Sequence, residues 1–375
     1  MASKNPRGAT IGDIEVVLDR LAPPKLAQSW DNVGLLAGDR KASCRKVLLC
    51  IDLTPAVLAE AIEGKYDLLF AYHPPLFRPV SRLLADTGGT EALVYRAIAA
   101  GIALYSSHTA LDAAPGGTND VLADMCGLSD VQPFEFVSPG PSRCKIVTFV
   151  PQARLELVSQ AMFAAGAGRI GDYEQCSYRL EGRGTFFGTE NTNPRLGRKG
   201  RLETVAEVRL EVIAPQSKLP EVVAALRRSH PYEEPAFDVY PLIGEPVAGI
   251  GRVGQLPPGT TLGKLLARLA RTTGSKVATC AGPAGTVVRR AAVCVGAAGR
   301  LPFEKQRAAG ADVIVTGEIR HHDALAILCA GKTAIALGHW ESERPVLQPM
   351  ARRLAEELPS LRITVSRRDT SPFQR

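Results

Sequence analysis

Four short segments hold most of the side chains able to bind a metal ion or carry a proton: "YHPPLF" from Tyr72, "HTALD" from His108, "GEIRHHD" from Gly317 and "GHWESER" from Gly338. The chain has 6 histidines in 375 residues, and all but His230 lie in these segments. His108 and Asp112 are four apart, as are His339 and Glu343. On a helix or helical turn, residues i and i+4 project from one face, so each pair could grip a single ion. Imidazole with carboxylate suits zinc, iron or manganese. Pro74 and Pro75 remove backbone freedom just after His73 and would hold its ring in place. A histidine that ends a strand can equally be a hydrogen-bonded loop residue. No contiguous motif such as H-E-x-x-H decides between the two.

The elements that must position these groups follow a repeating rhythm. Thr10 with Asp13 predicts a helix start, with Ile14, Val17, Leu18 and Leu21 at helical spacing and Pro23-Pro24 as the stop. "KVLLCID", "DLLFA" and "IALYS" are continuous apolar runs of the kind buried on both faces. Between them lie a helix capped by Thr54 with Pro55 in its first turn and a helix in "EALVYRAIAAG". This alternation predicts a parallel sheet with helices on both faces. The rhythm breaks near residue 128, where "SDVQPFEFVSPGPSR" reads as loop. Residues 131–246 then read as an inserted ferredoxin-like α+β domain of two strand–helix–strand units, with "AEVRLEVI" alternating as a strand buried on one face. After it, "KVATC", "RAAVCVG", "ADVIVTG" and "KTAIALG" read as buried strands, followed by a long helix from about Glu343 and a final strand "RITVS". The predicted fold is therefore a discontinuous α/β domain, 1–130 and 247–375, with mainly parallel buried strands and one insertion. His73, His108, Asp112, His339 and Glu343 all fall at or just after strand ends, where open α/β sheets form their ligand crevice.

Composition bounds the alternatives. Apolar residues at 45% and charged residues at 22% are those of a globular chain. No apolar run reaches the eighteen or so residues of a membrane span, and "MASKNPRGATIGDIEVVLDRL" lacks the apolar core of a signal peptide. We therefore expect a cytoplasmic protein without a membrane partner. The 8 cysteines form no C-x-x-C pair and read as reduced, mainly core thiols. Net charge is +7, and its densest cluster, "PRLGRKGR" from Pro194, has no interleaved aromatic residues for base stacking, which makes nucleic acid an unlikely partner.

"SWDNVGLLAGD", "YHPPLFRP", "SSHTALDAAPGGTND", "TGEIRHHD" and "GHWESERP" resemble, in order, the signature blocks of the NIF-three-like family, whose members are often labelled GTP cyclohydrolase 1 type 2 homologues. "HPYEEPAFDVYPL" resembles the CutA-like or PII-like insertion of its longer bacterial members. The resemblance implies a dinuclear metal centre in a homo-hexamer, arranged as a dimer of trimers. His73 and Asp112 would hold one ion, His339 the other and Glu343 both, with about two ions per chain. Tyr72 departs from this pattern: many members carry histidine there, and phenol, with a pKa of about 10, is a poor ligand at neutral pH. His108 could compensate.

Other groups have supporting readings. Trp30-Asp31-Asn32 could cap a helix or turn near the cleft. His321 or His322 could reach a metal or substrate, or Asp323 could simply favour a helix N-terminus. "GAAGR" from Gly296 is either a tight turn or an anion cradle. The resemblance makes a metal-dependent hydrolase the leading expectation, with metal-activated water attacking a nucleotide or related ring, Glu343 or Glu318 moving protons and Arg78, Arg320 or Arg344 meeting phosphate; the small-molecule substrate itself is not identified. A non-catalytic metal-binding regulator or scaffold is the alternative.

Overall fold

The computed structural model describes residues 9–138, 142–243, 247–299 and 301–373. The chain divides into two compact units, Met1–Val137 with Pro246–Arg375, and Ser138–Glu245.

In the first unit, Thr10 and Asp13 close a reciprocal capping box on α1 (Ile11–Leu21), with Thr10 N–H donating to Asp13 Oδ2 at 2.8 Å. There follow β1 (Gly34–Ala37), β2 (Lys46–Cys50), α2 (Pro55–Glu63), β3 (Leu68–Ala71), α3 (Thr90–Ala99) and β4 (Ala103–Ser106). Thr54 Oγ1 accepts from Val57 N–H at 3.2 Å to start α2, and Gly64 ends it. Next come α4 (His108–Ala113), α5 (Thr118–Cys126), β5 (Ser129–Gln132) and β6 (Glu135–Phe136).

The second unit runs β7 (Arg143–Val150), α6 (Leu155–Ala164), β8 (Ser177–Phe187), β9 (Leu202–Pro215), α7 (Leu219–Ser229) and β10 (Phe237–Leu242). Its antiparallel sheet has the order β10-β7-β9-β8, a ferredoxin-like β-α-β-β-α-β arrangement. Along β9, Val208, Leu210, Val212 and Ala214 are buried against Val158 and Met162 of α6 and Val222 and Leu226 of α7, while alternate residues face outward.

The chain then returns to the first unit through β11 (Gly249–Ile250), β12 (Arg252–Gln255), α8 (Leu262–Thr273), β13 (Thr279–Ala281), β14 (Arg290–Cys294), α9 (Leu301–Glu304), β15 (Val313–Thr316), α10 (His321–Cys329) and β16 (Thr333–Ala336). It finishes with α11 (His339–Glu343), α12 (Leu347–Glu357) and β17 (Arg362–Val365).

The first unit contains two larger sheets rather than one, and neither is purely parallel. The order β1-β4-β3-β2-β17 is parallel except for β1, which pairs antiparallel with β4. The order β13-β16-β15-β14-β12-β5 is parallel only across β14, β15 and β16. The two halves of the unit exchange strands: β17, near the end of the chain, completes the first sheet, and β5, from the first half, edges the second. Period-two alternation builds a core on each face of the first sheet. Leu48, Leu69 and Leu104 pack with Val57 of α2 and Val94 of α3, whereas Val47, Leu49, Phe70 and Tyr105 pack with Leu18 of α1 and Met350 of α12. Leu265 and Leu269 of α8 cover Val293, Val315 and Ile335 of the second sheet.

Several expectations are corrected. "SDVQPFEF" is not loop: β5 joins β12, and β6 pairs with β11, because short edge strands need little apolar sequence. β13, which overlaps the end of "KVATC", is a largely exposed edge strand rather than a buried one. The last long helix begins at Leu347, since Pro345 lies in a 3₁₀ turn that separates α11 from α12. The eight cysteines form no disulfide; Cys50 and Cys294 are buried in their apolar runs, whereas Cys280 and Cys329 are exposed. Among the described residues, no helix is long and apolar enough to cross a membrane.

Candidate metal centre

The centre is built where strands of the first unit end. β3 terminates in Tyr72 and His73, whose N–H groups still donate to Cys50 and Ile51 carbonyls at 2.9 and 3.0 Å. β16 ends at Ala336, and α11 then begins with His339 and closes with Glu343 on the same face. One ligand atom each from His73, His339 and Glu343 lies within 4.8 Å of the others. Glu343 carries the geometry: its Oε2 is 3.3 Å from His73 Nε2 and its Oε1 is 3.2 Å from His339 Nε2. The carboxylate is buried, and among the described residues Oε2 has no donor in hydrogen-bonding geometry. A buried acceptor left open between two imidazole nitrogens fits a cation. Two imidazoles and a carboxylate also match the donor set of zinc, iron or manganese.

Each imidazole is oriented from behind by a carboxylate. His73 Nδ1 donates to Asp52 Oδ1 at 2.9 Å, and His339 Nδ1 lies 3.3 Å from Glu318 Oε1. Because a carboxylate only accepts, the Asp52 contact keeps the Nδ1 proton of His73, and Nε2, which faces Glu343, is the nitrogen that would coordinate an ion once it gives up its own proton. Asp52 had no place among the sequence candidates, although it sits just after β2, at a strand end like the others. His108 has the same backing, with Nδ1 2.9 Å from Asp31 Oδ1. Asp31 Oδ2 also accepts from Thr109 N–H at 3.1 Å, so the Trp30-Asp31-Asn32 segment supports the first turn of α4.

His108 and Asp112 share α4 but do not join the group of three. The His108 ring centroid is 5.2 Å from that of His73, and its backbone has a left-handed φ of 21°. Asp112 Oδ1 accepts from the buried Tyr72 hydroxyl at 2.5 Å. Asn119 braces the same corner: its amide donates to the Asp112 carbonyl at 3.0 Å, and its Oδ1 accepts from Val295 N–H at 3.0 Å.

Glycine makes the close packing here possible. Gly296, just beyond β14, has φ +62°, and a Cβ added to it would stand 2.6 Å from Glu343 Oε1. Its N–H donates to Ser342 Oγ at 3.0 Å, so at Gly296 the "GAAGR" segment makes a packing turn. Arg300 lies outside the described residues.

Electrostatics follow from burial and pairing. Burial opposes charge on His73, but the Asp52 hydrogen bond and the Glu343 carboxylate prevail and push its pKa up to about 10. His339 is raised by its bond to Glu343. Burial would raise Glu343, yet His339 and His73 together hold it below the usual value. Burial, aided by the nearby Glu343 charge, raises Asp112 to about 6 against the lowering effect of the Tyr72 hydrogen bond.

The remaining candidates have other partners. Arg344 is tied to the Ser366 carbonyl at 2.8 Å and to Asp369 at 3.3 Å, which takes it out of the candidate phosphate contacts. Arg320 donates to Asp323 Oδ2 at 3.0 Å in the first turn of α10. His321 and His322 are exposed, with ring centroids 5.3 Å apart. In the second unit, His230 is buried between the Phe149 carbonyl, 3.0 Å from Nε2, and Tyr232 N–H, which donates to Nδ1 at 3.1 Å. Its role is structural.

A family model described as Duf34/NIF3 (NGG1p interacting factor 3) matches residues 9–372. A Mycobacterium tuberculosis protein named "GTP cyclohydrolase 1 type 2 homolog" is 40% identical over 342 residues, covering 89% of this chain and 88% of its own. A protein of the same name from Bacillus subtilis is 33% identical over 362 residues, covering 95% and 96%. Among solved structures, a Bacillus cereus protein related to NIF3 superposes with TM-score 0.81 at 32% identity, covering 98% of this chain and 99% of its own.

Proposed function

The chain belongs to the Duf34/NIF3 family, and on that premise we propose that it is a metal-dependent hydrolase acting on a nucleotide or related ring. The observation that carries this reading is the convergence of His73, His339 and Glu343 ligand atoms within 4.8 Å. A divalent ion held there supplies Lewis acidity that makes water a nucleophile near neutral pH. The protein's own residues supply the rest. Asp52 holds Nδ1–H of His73 and the Glu318 carboxylate stands beside Nδ1 of His339, while both Nε2 atoms face Glu343. Glu343 balances their charge. Glu318, half-exposed beside His339, exchanges protons between the cleft and solvent.

The nucleotide class comes from the name of the relatives, GTP cyclohydrolase 1 type 2 homolog. With Arg344 pinned, Arg78 and Arg320 are the cations left to meet phosphate. The second unit, Ser138–Glu245, is read as a CutA- or PII-like insertion, a shorter span than the expected 131–246 because β5 and β6 pair with strands of the first unit. We place the protein in the cytoplasm as a homo-hexamer, a dimer of trimers. The ferredoxin-like second unit favours one further reading, a metal-binding regulator without turnover.

Incubation of zinc-, iron- and manganese-loaded protein with GTP and a panel of purine and pterin rings separates the two. Hydrolysis requires metal-dependent ring opening that is lost in Glu343→Gln. Metal binding with no turnover on any of these compounds leaves the regulator.

A further inference from the structure

A dinuclear centre needs ligands beyond His73, His339 and Glu343, and the two further ligand candidates of the sequence, His108 and Asp112, meet Tyr72 at one corner of the site. In this chain that corner is already satisfied. Tyr72 is fully buried, and its hydroxyl donates to Asp112 Oδ1 at 2.5 Å. Its ring is wedged with centroids 5.0 Å from His73 and 5.5 Å from His108. Its carbonyl accepts from Ser106 Oγ at 2.7 Å and from His108 N–H at 3.2 Å, so it cannot turn aside freely. On the far side, Asn119 fixes Asp112 through its carbonyl, and Asp31 holds His108 Nδ1. Moving Asp112 toward an ion would strip a buried hydroxyl of its acceptor, an unfavourable exchange.

We propose that Tyr72 is a plug in the second metal position: its hydroxyl holds Asp112 out of the cluster, and the centre takes one divalent ion, on His73, His339 and Glu343. This rests on the metal-binding reading above and changes its stoichiometry. The residues that would hold this single ion are two histidines and one carboxylate.

The test is metal content. Wild-type protein and the variants Tyr72→His and Tyr72→Phe are loaded with excess zinc, freed of unbound metal and analysed for zinc per chain, with titration calorimetry alongside. The expected result is about one ion in the wild type and about two in Tyr72→His. Tyr72→Phe keeps the ring and frees Asp112, so it gains a second, weaker site and decides the matter if Tyr72→His does not fold. About two ions in the wild type, or one in both folded variants, overturns the plug. A wild type that binds no ion overturns the metal reading itself, a distinct outcome.

Discussion

Asp52 and His73 form a pair in which the carboxylate accepts from Nδ1 at 2.9 Å and the opposite ring nitrogen faces Glu343 at 3.3 Å. A residue that touches no candidate ligand atom thus sets which imidazole nitrogen can coordinate. Asp52→Ala is expected to weaken zinc binding by about 10- to 100-fold, the usual cost of losing such backing. Competition titration against a chelator measures this, and circular dichroism confirms that the fold is kept. Unchanged affinity would remove Asp52 from the centre.

The raised pKa of His73 gives a pH signature of definite sign. Its value of about 10 lies above the ordinary 6.5. In the metal-free chain its pairing with Asp52 and Glu343 contributes stability that is fully present below about 6.5 and is lost as pH rises toward about 10. Coordination needs the neutral ring, so metal binding must release protons at neutral pH and tighten as pH rises over the same window. Calorimetry in buffers of different ionisation enthalpy detects the released protons. Affinity that falls between pH 7 and 9, with zinc kept soluble, would contradict this.

Gly296→Ala should damage the centre more than the fold. The left-handed φ costs an alanine about 1–2 kcal/mol, and the added Cβ would lie 2.6 Å from Glu343 Oε1. A modest loss of thermal stability should accompany at least a tenfold loss of zinc affinity. Both are read from melting curves with and without metal.

Arg252 tests the scaffold rather than the chemistry. It is buried and bound to Asp120, with Nη2 to Oδ2 at 2.8 Å, and it donates to the carbonyls of Gly249, Gly251 and Ala114. Arg252→Met removes the guanidinium from all of these groups, with Ala114 keeping Gly117 N–H at 3.0 Å and Asp120 keeping Gly116 N–H at 2.7 Å. A loss of about 3 kcal/mol is expected from breaking a buried pair of this kind. Denaturant unfolding checks it.

Local signals were readable in the sequence, and long-range partnerships were not. Thr10 with Asp13 and Thr54 with Pro55 announce helix starts because capping works over three residues. His339 and Glu343 were recognisable because a four-residue step on a helix fixes their common face. The distant backing of His108 by Asp31 had no such marker, since 77 positions separate them. Nor did Tyr72 and Asp112, 40 apart, whose hydroxyl–carboxylate bond is visible only once β3 and α4 are packed. β1, β5 and β6 escaped notice for a related reason: short edge strands are stabilised by their neighbours more than by their own residues.

The parallel pairing of β17 with β2 carries a constraint on biosynthesis. The first sheet cannot be completed until residues 362–365 leave the ribosome, although β2, β3 and β4 emerge hundreds of residues earlier. The second unit is continuous in the chain, so it can mature while its flanking segments still wait for each other. A nascent chain stalled before β17 therefore exposes β2 as an unpaired apolar edge, the kind of surface that chaperones must shield.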